Sequence, residues 1–309
     1  MSARRRGITS ARASGREGAA GERFIFTARP PRGAPRILKI KSPTGQYIKD
    51  GVNMTEKEKI LKYFERIGLE YDENAELNGE YLRKLQLAHV TAVPYENIDI
   101  LRGTPLKLDD DSLFDKVVLR RRGGYCFELN GILAWLLRAL GFGVTEYMGR
   151  FLRGEVGVPM RRHRVLKVEA ADGVYMCDVG VGAKAPRCPL LLKEGLVQKQ
   201  FGEEYRFEKR DFFGWVLTEK TNKGWGDVFS FTEEVQHPID FVQPSFYCEK
   251  HEDSIFNKDY MIAIKTLTGR KTLDKNTFKI FEGSELISAK ELSDSEIPVY
   301  LKEHFGLDV

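Results

Sequence analysis

From Thr55 onward, apolar residues recur at helical spacing. In "TEKEKILKYFERIGL", Ile60, Leu61, Phe64 and Ile67 share one helix face, with Thr55 as N-cap and Gly68 near the stop. "NGEYLRKLQLAHVTAVPYENIDI" continues the pattern at Tyr81, Leu82, Leu85, Leu87 and Ala88 until Pro94 ends the helix. "DSLFDKVVLRR" predicts a short third helix from an Asp/Ser cap. A fourth starts at Cys126, apolar at Leu129, Ile132, Leu133, Leu136, Leu137 and Leu140, with Gly141 as C-cap.

Near residue 143 the period changes from helical to alternating. "GVTEYMGRF", "HRVLKVEA", "GVYMCDVGVG", "YRFEKRD", "GWVLTEK" and "WGDVFSFTEE" are β-branched and aromatic runs separated by turn residues, which predicts a mostly antiparallel β lobe. The last stretch mixes two or three hairpin arms in "YMIAIKTLTGRKTLDKNTFKIFEGSE" with a closing helix near "SDSEIPVYLKEHFGL". The reading is an α+β chain in three lobes: helices over 54–142, a β lobe over 143–240 and an α/β lobe over 241–309.

Residues 1–53 differ from all of this. They are rich in Arg, Gly, Ala, Ser and Pro and poor in apolar residues, so they predict a disordered basic arm. Three origins fit: an organelle transit peptide, a nucleic-acid-binding arm, or a stretch upstream of a true start at Met54. The arm carries +9 of formal charge, so with an overall +4 the rest of the chain is at −5. Charge therefore gives no support for nucleic-acid binding by the globular body. No apolar run of about 18 residues marks a membrane span, and no apolar segment near the start marks a secretory signal.

Four cysteines (Cys126, Cys177, Cys188, Cys248) stand far apart with no CxxC pair. Neither a zinc site nor a disulfide framework fits that spacing, and reduced thiols in a cytoplasmic protein are the simplest account. Cys126 stands out because two glycines precede it and a helix starts at it. A thiol there lies near unpaired N–H groups and the positive end of the helix dipole, which favours thiolate. The plainer alternative is a buried small hydrophobe.

A reactive cysteine needs a base, and the base an orienting acid. His163 opens one strand and Asp178 closes the next. A two-residue Asp172-Gly173 turn would pair Lys167 with Asp178 and leave His163 out of reach. A four-residue loop, 170–173, pairs Glu169 with Val174 and sets His163 opposite Gly180, with Asp178 its diagonal same-face neighbour at about 7–8 Å. Either even-length loop keeps the two on one face. The face Val174, Met176, Asp178 is otherwise apolar, so the carboxylate points inward and needs a partner. Cys177 faces the other way.

"RGGYCFELN", with "VPYENIDI" upstream, "HRVLKV…YMCDVGVG" downstream, "YFERIGL" near the start and "DSIF" near Phe256, resembles the arylamine N-acetyltransferase family along nearly all of 54–309. The resemblance implies a helical bundle, an antiparallel β-barrel and an α/β lid with papain-like thiol chemistry. It implies Cys126 as acetyl-accepting nucleophile, His163 as its base and Asp178 as the residue orienting His163. It also implies a buried Arg122–Glu96 pair that positions the helix start, and Asn130 as the holder of Asp178. His89 matches a histidine that looks structural. Tyr95 and Val181 stand near the acceptor pocket where the family commonly has Phe, so acceptor preference does not carry over.

The implied reaction is ping-pong acetyl transfer from acetyl-CoA, a co-substrate and not a resident cofactor, to an arylamine, arylhydrazine or N-hydroxyarylamine. Backbone N–H groups near Cys126 and Gly180 are the expected oxyanion donors. No metal, nucleic acid or membrane is called for. The rivals are a transglutaminase-like or papain-like amide hydrolase and a non-enzymatic binding module; intact Cys126, His163 and Asp178 argue against the second.

Overall fold

The computed structural model describes residues 47–49 and 52–309. Most of the basic arm lies outside the described residues, but its end is not structureless: β1 (Tyr47–Lys49) pairs antiparallel with β2 (Val52–Met54).

The helical region comprises α1 (Glu56–Ile67), α2 (Gly79–Ala92), α3 (Ile98–Leu101), α4 (Asp110–Phe114) and α5 (Cys126–Ala139). Local signals set its boundaries. Thr55 and Glu58 form a reciprocal capping box, and Gly68 closes α1 in the left-handed conformation at φ 70°. Leu61 does not join the core face; it is exposed, and Tyr63 is buried in its place. The third predicted helix is α4 followed by a π-helical turn, Asp115–Leu119.

Eight strands form one antiparallel, nearly closed sheet. They are β3 (Gly143–Phe151), β4 (Arg161–Ala170), β5 (Gly173–Cys177), β6 (Leu190–Leu191), β7 (Gln198–Gln200), β8 (Glu203–Arg210), β9 (Gly214–Thr221) and β10 (Gly224–Val235). Their spatial order is β6-β5-β4-β3-β10-β9-β8-β7. Both faces of β4 are buried. Leu166 and Val168 pack on the helices, whereas Val165 joins Tyr147, Met176, Phe207 and Phe229 inside the barrel. The β4–β5 register pairs Glu169 with Val174 and Leu166 with Cys177. That is the register of the four-residue loop, tightened by one further pair, Ala170 with Gly173.

The C-terminal region holds α6 (Val242–Lys250), the four-stranded sheet β11 (Met261–Lys265), β12 (Gly269–Asp274), β13 (Thr277–Glu282) and β14 (Glu285–Glu291), and α7 (Ile297–Phe305). The sequence pattern does not announce α6, which carries Pro244 and leaves Val242 and Phe246 exposed. The lid has its own core of Ile262, Leu273, Phe278, Leu301 and Phe305. A fourth cluster, including Tyr125, Cys126, Phe127, Phe241, Cys248 and Phe256, joins the three regions. Among the described residues no helix is long and apolar enough to cross a membrane.

Candidate active site

The two glycines before Cys126 are there for close packing. A Cβ on Gly123 would stand 2.0 Å from the Pro94 carbonyl oxygen. This lets the segment lie against 94–96, where the Glu96 N–H donates to the Gly124 carbonyl at 2.9 Å. Tyr125 is then the N-cap of α5 and Cys126 its first residue. Below the turn lies a buried ion network. Arg122 Nη2 donates to Glu96 Oε1 at 2.9 Å and Asp99 Oδ1 at 3.0 Å. Lys116 Nζ, on the π turn, reaches Asp99 Oδ2 and Glu128 Oε1, both at 2.7 Å. Glu128 Oε2 in turn accepts from the Tyr125 N–H at 3.2 Å, so this carboxylate clamps the start of α5. The family resemblance pointed to Arg122 and Glu96 only; the available signal for Lys116 was one cation beside an apolar pair, Val117 and Val118.

Cys126 is 3 % exposed, and its Sγ lies 3.7 Å from the carbonyl oxygen of Arg162, the residue before His163. Burial pushes its pKa well up, the neighbouring Cys248 and Asp178 add to this, and backbone N–H groups of Arg164 and Phe127 oppose it. Desolvation at this position thus opposes the thiolate that the helix start favours.

His163 is fully buried on β4, with the rings of Phe151 and Phe229 at 5.1 and 5.0 Å. Its Nε2 meets Asp178 Oδ2 at 2.5 Å. Its Nδ1 is buried with no hydrogen-bond partner among the described residues. Asp178 Oδ1 accepts from Asn130 Nδ2 and from the Gly180 N–H, each at 2.8 Å. Asn130 also donates to the Arg164 carbonyl at 2.6 Å and accepts from the Val179 N–H at 2.9 Å. Gln86, which sequence reasoning missed, accepts from the Asp178 N–H at 3.2 Å. The Gly180 N–H is thus engaged by Asp178 and is not an oxyanion donor, contrary to the expectation from sequence. The Glu128 N–H donates to the Tyr125 carbonyl at 3.0 Å, which leaves the Cys126 and Phe127 N–H groups at the start of α5 as donors.

Cys126 opens onto a cleft of about 470 Å³ lined by Tyr95, Phe151, Val181, Phe256 and residues of β11 to β13. Tyr95 is held by reciprocal backbone bonds with Ala263, at 2.8 and 3.0 Å, so the C-terminal sheet supplies one wall. His89 lies in the helical core with Nδ1 2.7 Å from the Tyr63 hydroxyl, and burial pushes its pKa down to about 3. Cys177, Cys188 and Cys248 are buried free thiols. Among the described residues no His, Cys, Asp and Glu group is arranged to hold a metal ion.

Comparison with known proteins gives concordant matches. The N-acetyltransferase family model matches residues 79–309. An arylamine N-acetyltransferase from Escherichia coli (strain K12) is 33% identical over 251 residues, 80% of this chain and 88% of its own length. One from Mycobacterium tuberculosis is 34% identical over 259 residues, 81% and 89% of the two chains. The solved arylamine N-acetyltransferase from Salmonella typhimurium superposes with a TM-score of 0.78 at 31% identity, covering 83% of this chain and 93% of its own. The Mycobacterium marinum structure in complex with CoA gives 0.75 at 30% identity, with 81% and 93% coverage.

Proposed function

Because the chain belongs to the arylamine N-acetyltransferase family and is an acyltransferase, we propose that it carries acetyl from acetyl-CoA to an arylamine, arylhydrazine or N-hydroxyarylamine through acetyl-Cys126. In the first half-reaction the sulfur attacks the thioester carbonyl while His163 Nδ1 takes the thiol proton. A bond forms from Cys126 Sγ to the acetyl carbon, the bond to the CoA sulfur breaks, and CoA leaves with the proton from the imidazolium. In the second, the amine attacks the acetyl-cysteine and gives a proton to His163. The Cys126 sulfur then leaves and is reprotonated. Asp178 accepts from Nε2, which fixes the tautomer that keeps Nδ1 free and stabilises the imidazolium. The Cys126 and Phe127 N–H groups at the start of α5 take the developing oxyanion.

One observation carries this reading: a buried histidine with Asp178 on one ring nitrogen and nothing on the other, next in sequence to the carbonyl that the Cys126 thiol reaches. The acceptor side of the reading draws on the Salmonella typhimurium relative, 32% identical over 74% of this chain, which is named an arylamine N-acetyltransferase and N-hydroxyarylamine O-acetyltransferase. Acetyl-CoA enters as co-substrate, and four free thiols fit a reducing compartment, the cytoplasm.

Intact-mass spectrometry after brief exposure to acetyl-CoA tests it. The parent gains one acetyl group that an arylamine removes, and Cys126→Ala gains none. No gain on the parent, with Cys126 still alkylated by a thiol reagent, would move the assignment to an amide hydrolase.

A further inference from the structure

Positive charge is in excess on one side of the cleft. Five basic and two acidic side chains line it. Arg162 is paired with Glu155, and Arg153 with Glu219, which leaves Lys184, Arg270 and Lys279 with no carboxylate in ion-pair contact among the described residues. Lys184 ends the short 3-10 turn Gly182–Lys184, just past Gly180 and Val181. Arg270 is 7 % exposed; its Nη1 donates to the Gly283 carbonyl at 3.0 Å and its guanidinium lies 3.8 Å over the Phe281 ring. Thr272 and Lys279 are cross-strand partners on the same face as the Arg270–Phe281 pair. Asp274, the second acidic lining residue, is four positions along β12 from Arg270, about 13 Å away, and cannot neutralise it.

The groups behind this wall add to the imbalance. Arg187 is buried, with Nη1 on Glu203 at 2.7 Å and its other nitrogens on the Thr266 and Gly269 carbonyls. Lys265 is buried and shares the same Glu203, at 3.4 Å. Two carboxylates, Glu203 and Glu219, thus face Arg153, Lys184, Arg187, Lys265 and Arg270. The network beneath Cys126 is the opposite case, with Glu96, Asp99 and Glu128 against Lys116 and Arg122. Burial pushes Lys184 down, with the Arg270 and Arg153 charges adding to it and Glu219 and Glu203 opposing, and burial pushes Lys265 down to about 8. Folding alone gives no reason to collect unmatched cations at the mouth of an otherwise apolar cleft.

We propose that Lys184 and Arg270, with Lys279, form an anion subsite that takes the phosphate groups of a phosphorylated acyl donor while its thioester reaches Cys126. This rests on the acetyl-CoA reading and names residues that hold that donor. Arg270 supplies a pre-set planar donor, fixed by Phe281 and Gly283, and Lys184 supplies a compact charge.

The test compares acetyl-CoA with S-acetylpantetheine, which lacks phosphate, in steady-state acetyl transfer. In Lys184→Gln the ratio of KM for acetyl-CoA to KM for S-acetylpantetheine rises by about tenfold to a hundredfold, the scale of one charge-assisted contact. Lys184→Arg restores most of it, and Arg270→Gln moves the ratio in the same direction. An unchanged ratio in Lys184→Gln overturns the subsite. Calorimetric titration with inorganic pyrophosphate separates the two claims. If the parent binds pyrophosphate and Lys184→Gln does not, while neither acyl donor acetylates Cys126, the subsite stands and the acetyl-transfer reading falls.

Discussion

Gly180 lies so close to Cys126 that a Cβ on it would stand 2.6 Å from the Cys126 Cα and 2.9 Å from its Cβ. The same methyl would meet Asn130 Nδ2 at 2.9 Å. Real Cβ contacts do not approach backbone this closely, and a packed interior resists the shift. Gly180→Ala must therefore move α5 relative to the segment holding Asp178. The expected result is a loss of at least about a hundredfold in kcat/KM, the cost of roughly 1 Å of misplacement. Its check is steady-state acetyl transfer, with circular dichroism to verify that the chain still folds.

Asp178 uses one oxygen for His163 and the other for Asn130 and Gly180. Asp178→Asn keeps the volume but can present an amide N–H to the imidazole, which favours the wrong tautomer. The expected fall in kcat is about 10²–10⁴-fold. Asn130→Asp sets a second carboxylate against Asp178 and is expected to act more severely than Asn130→Ala. Rates of acetyl-Cys126 formation followed by quenched-flow mass spectrometry check both, and equal rates in parent and Asp178→Asn would overturn the orienting role.

Among the described residues Lys116 is the ion-pair partner of Glu128, and it also answers Asp99. Burial alone would lower its pKa, but Glu128, Glu96 and Asp99 outweigh that and raise it. Lys116→Met strands buried carboxylates and is expected to destabilise the fold by about 3–5 kcal/mol. Lys116→Met with Glu128→Gln is expected to recover part of the loss, since the amide oxygen still accepts from the Tyr125 N–H while the unmatched charge is gone. Urea denaturation of the single and double variants measures both.

Much of this site was legible because local chemistry fixes it. Thr55 and Gly68 cap α1 by backbone rules, and the even-length β4–β5 connection puts His163 and Asp178 on one face. A pair four residues or more apart on adjacent strands is settled by register alone. Gln86, Lys116 and Glu128 were not legible, because each becomes part of the site only when α2, the π turn and α5 pack together. α6 was hidden for a related reason: Ser245, Cys248 and Glu249 are its buried residues, and an exposed Phe246 breaks the expected face. The Gly180 N–H looked free for an oxyanion until the turn after β5 folded it back onto Asp178. The excess of cations in the cleft is likewise a property of the assembled wall, since Lys184, Arg270 and Lys279 come from three separate elements.

His89 makes the fold sensitive to acid. It is fully buried, with Nδ1 against the Tyr63 hydroxyl and Nε2 without a partner among the described residues, and burial followed by the Arg66 charge lowers its pKa to about 3. An unfolded chain protonates a histidine near pH 6.5, whereas the folded chain refuses that proton until about pH 3. Between those values the unfolded state binds more protons, so stability falls as pH falls, and above about pH 6.5 the group has no effect. One such proton contributes at most about 1.4 kcal/mol per pH unit to the slope. His89→Gln removes the titration, so its stability, whatever its starting value, is expected to decline less steeply from pH 6 to 4 than the parent's. Chemical denaturation at half-unit pH steps gives the two slopes, and parallel slopes would mean that the folded protein protonates His89 as readily as the unfolded chain does.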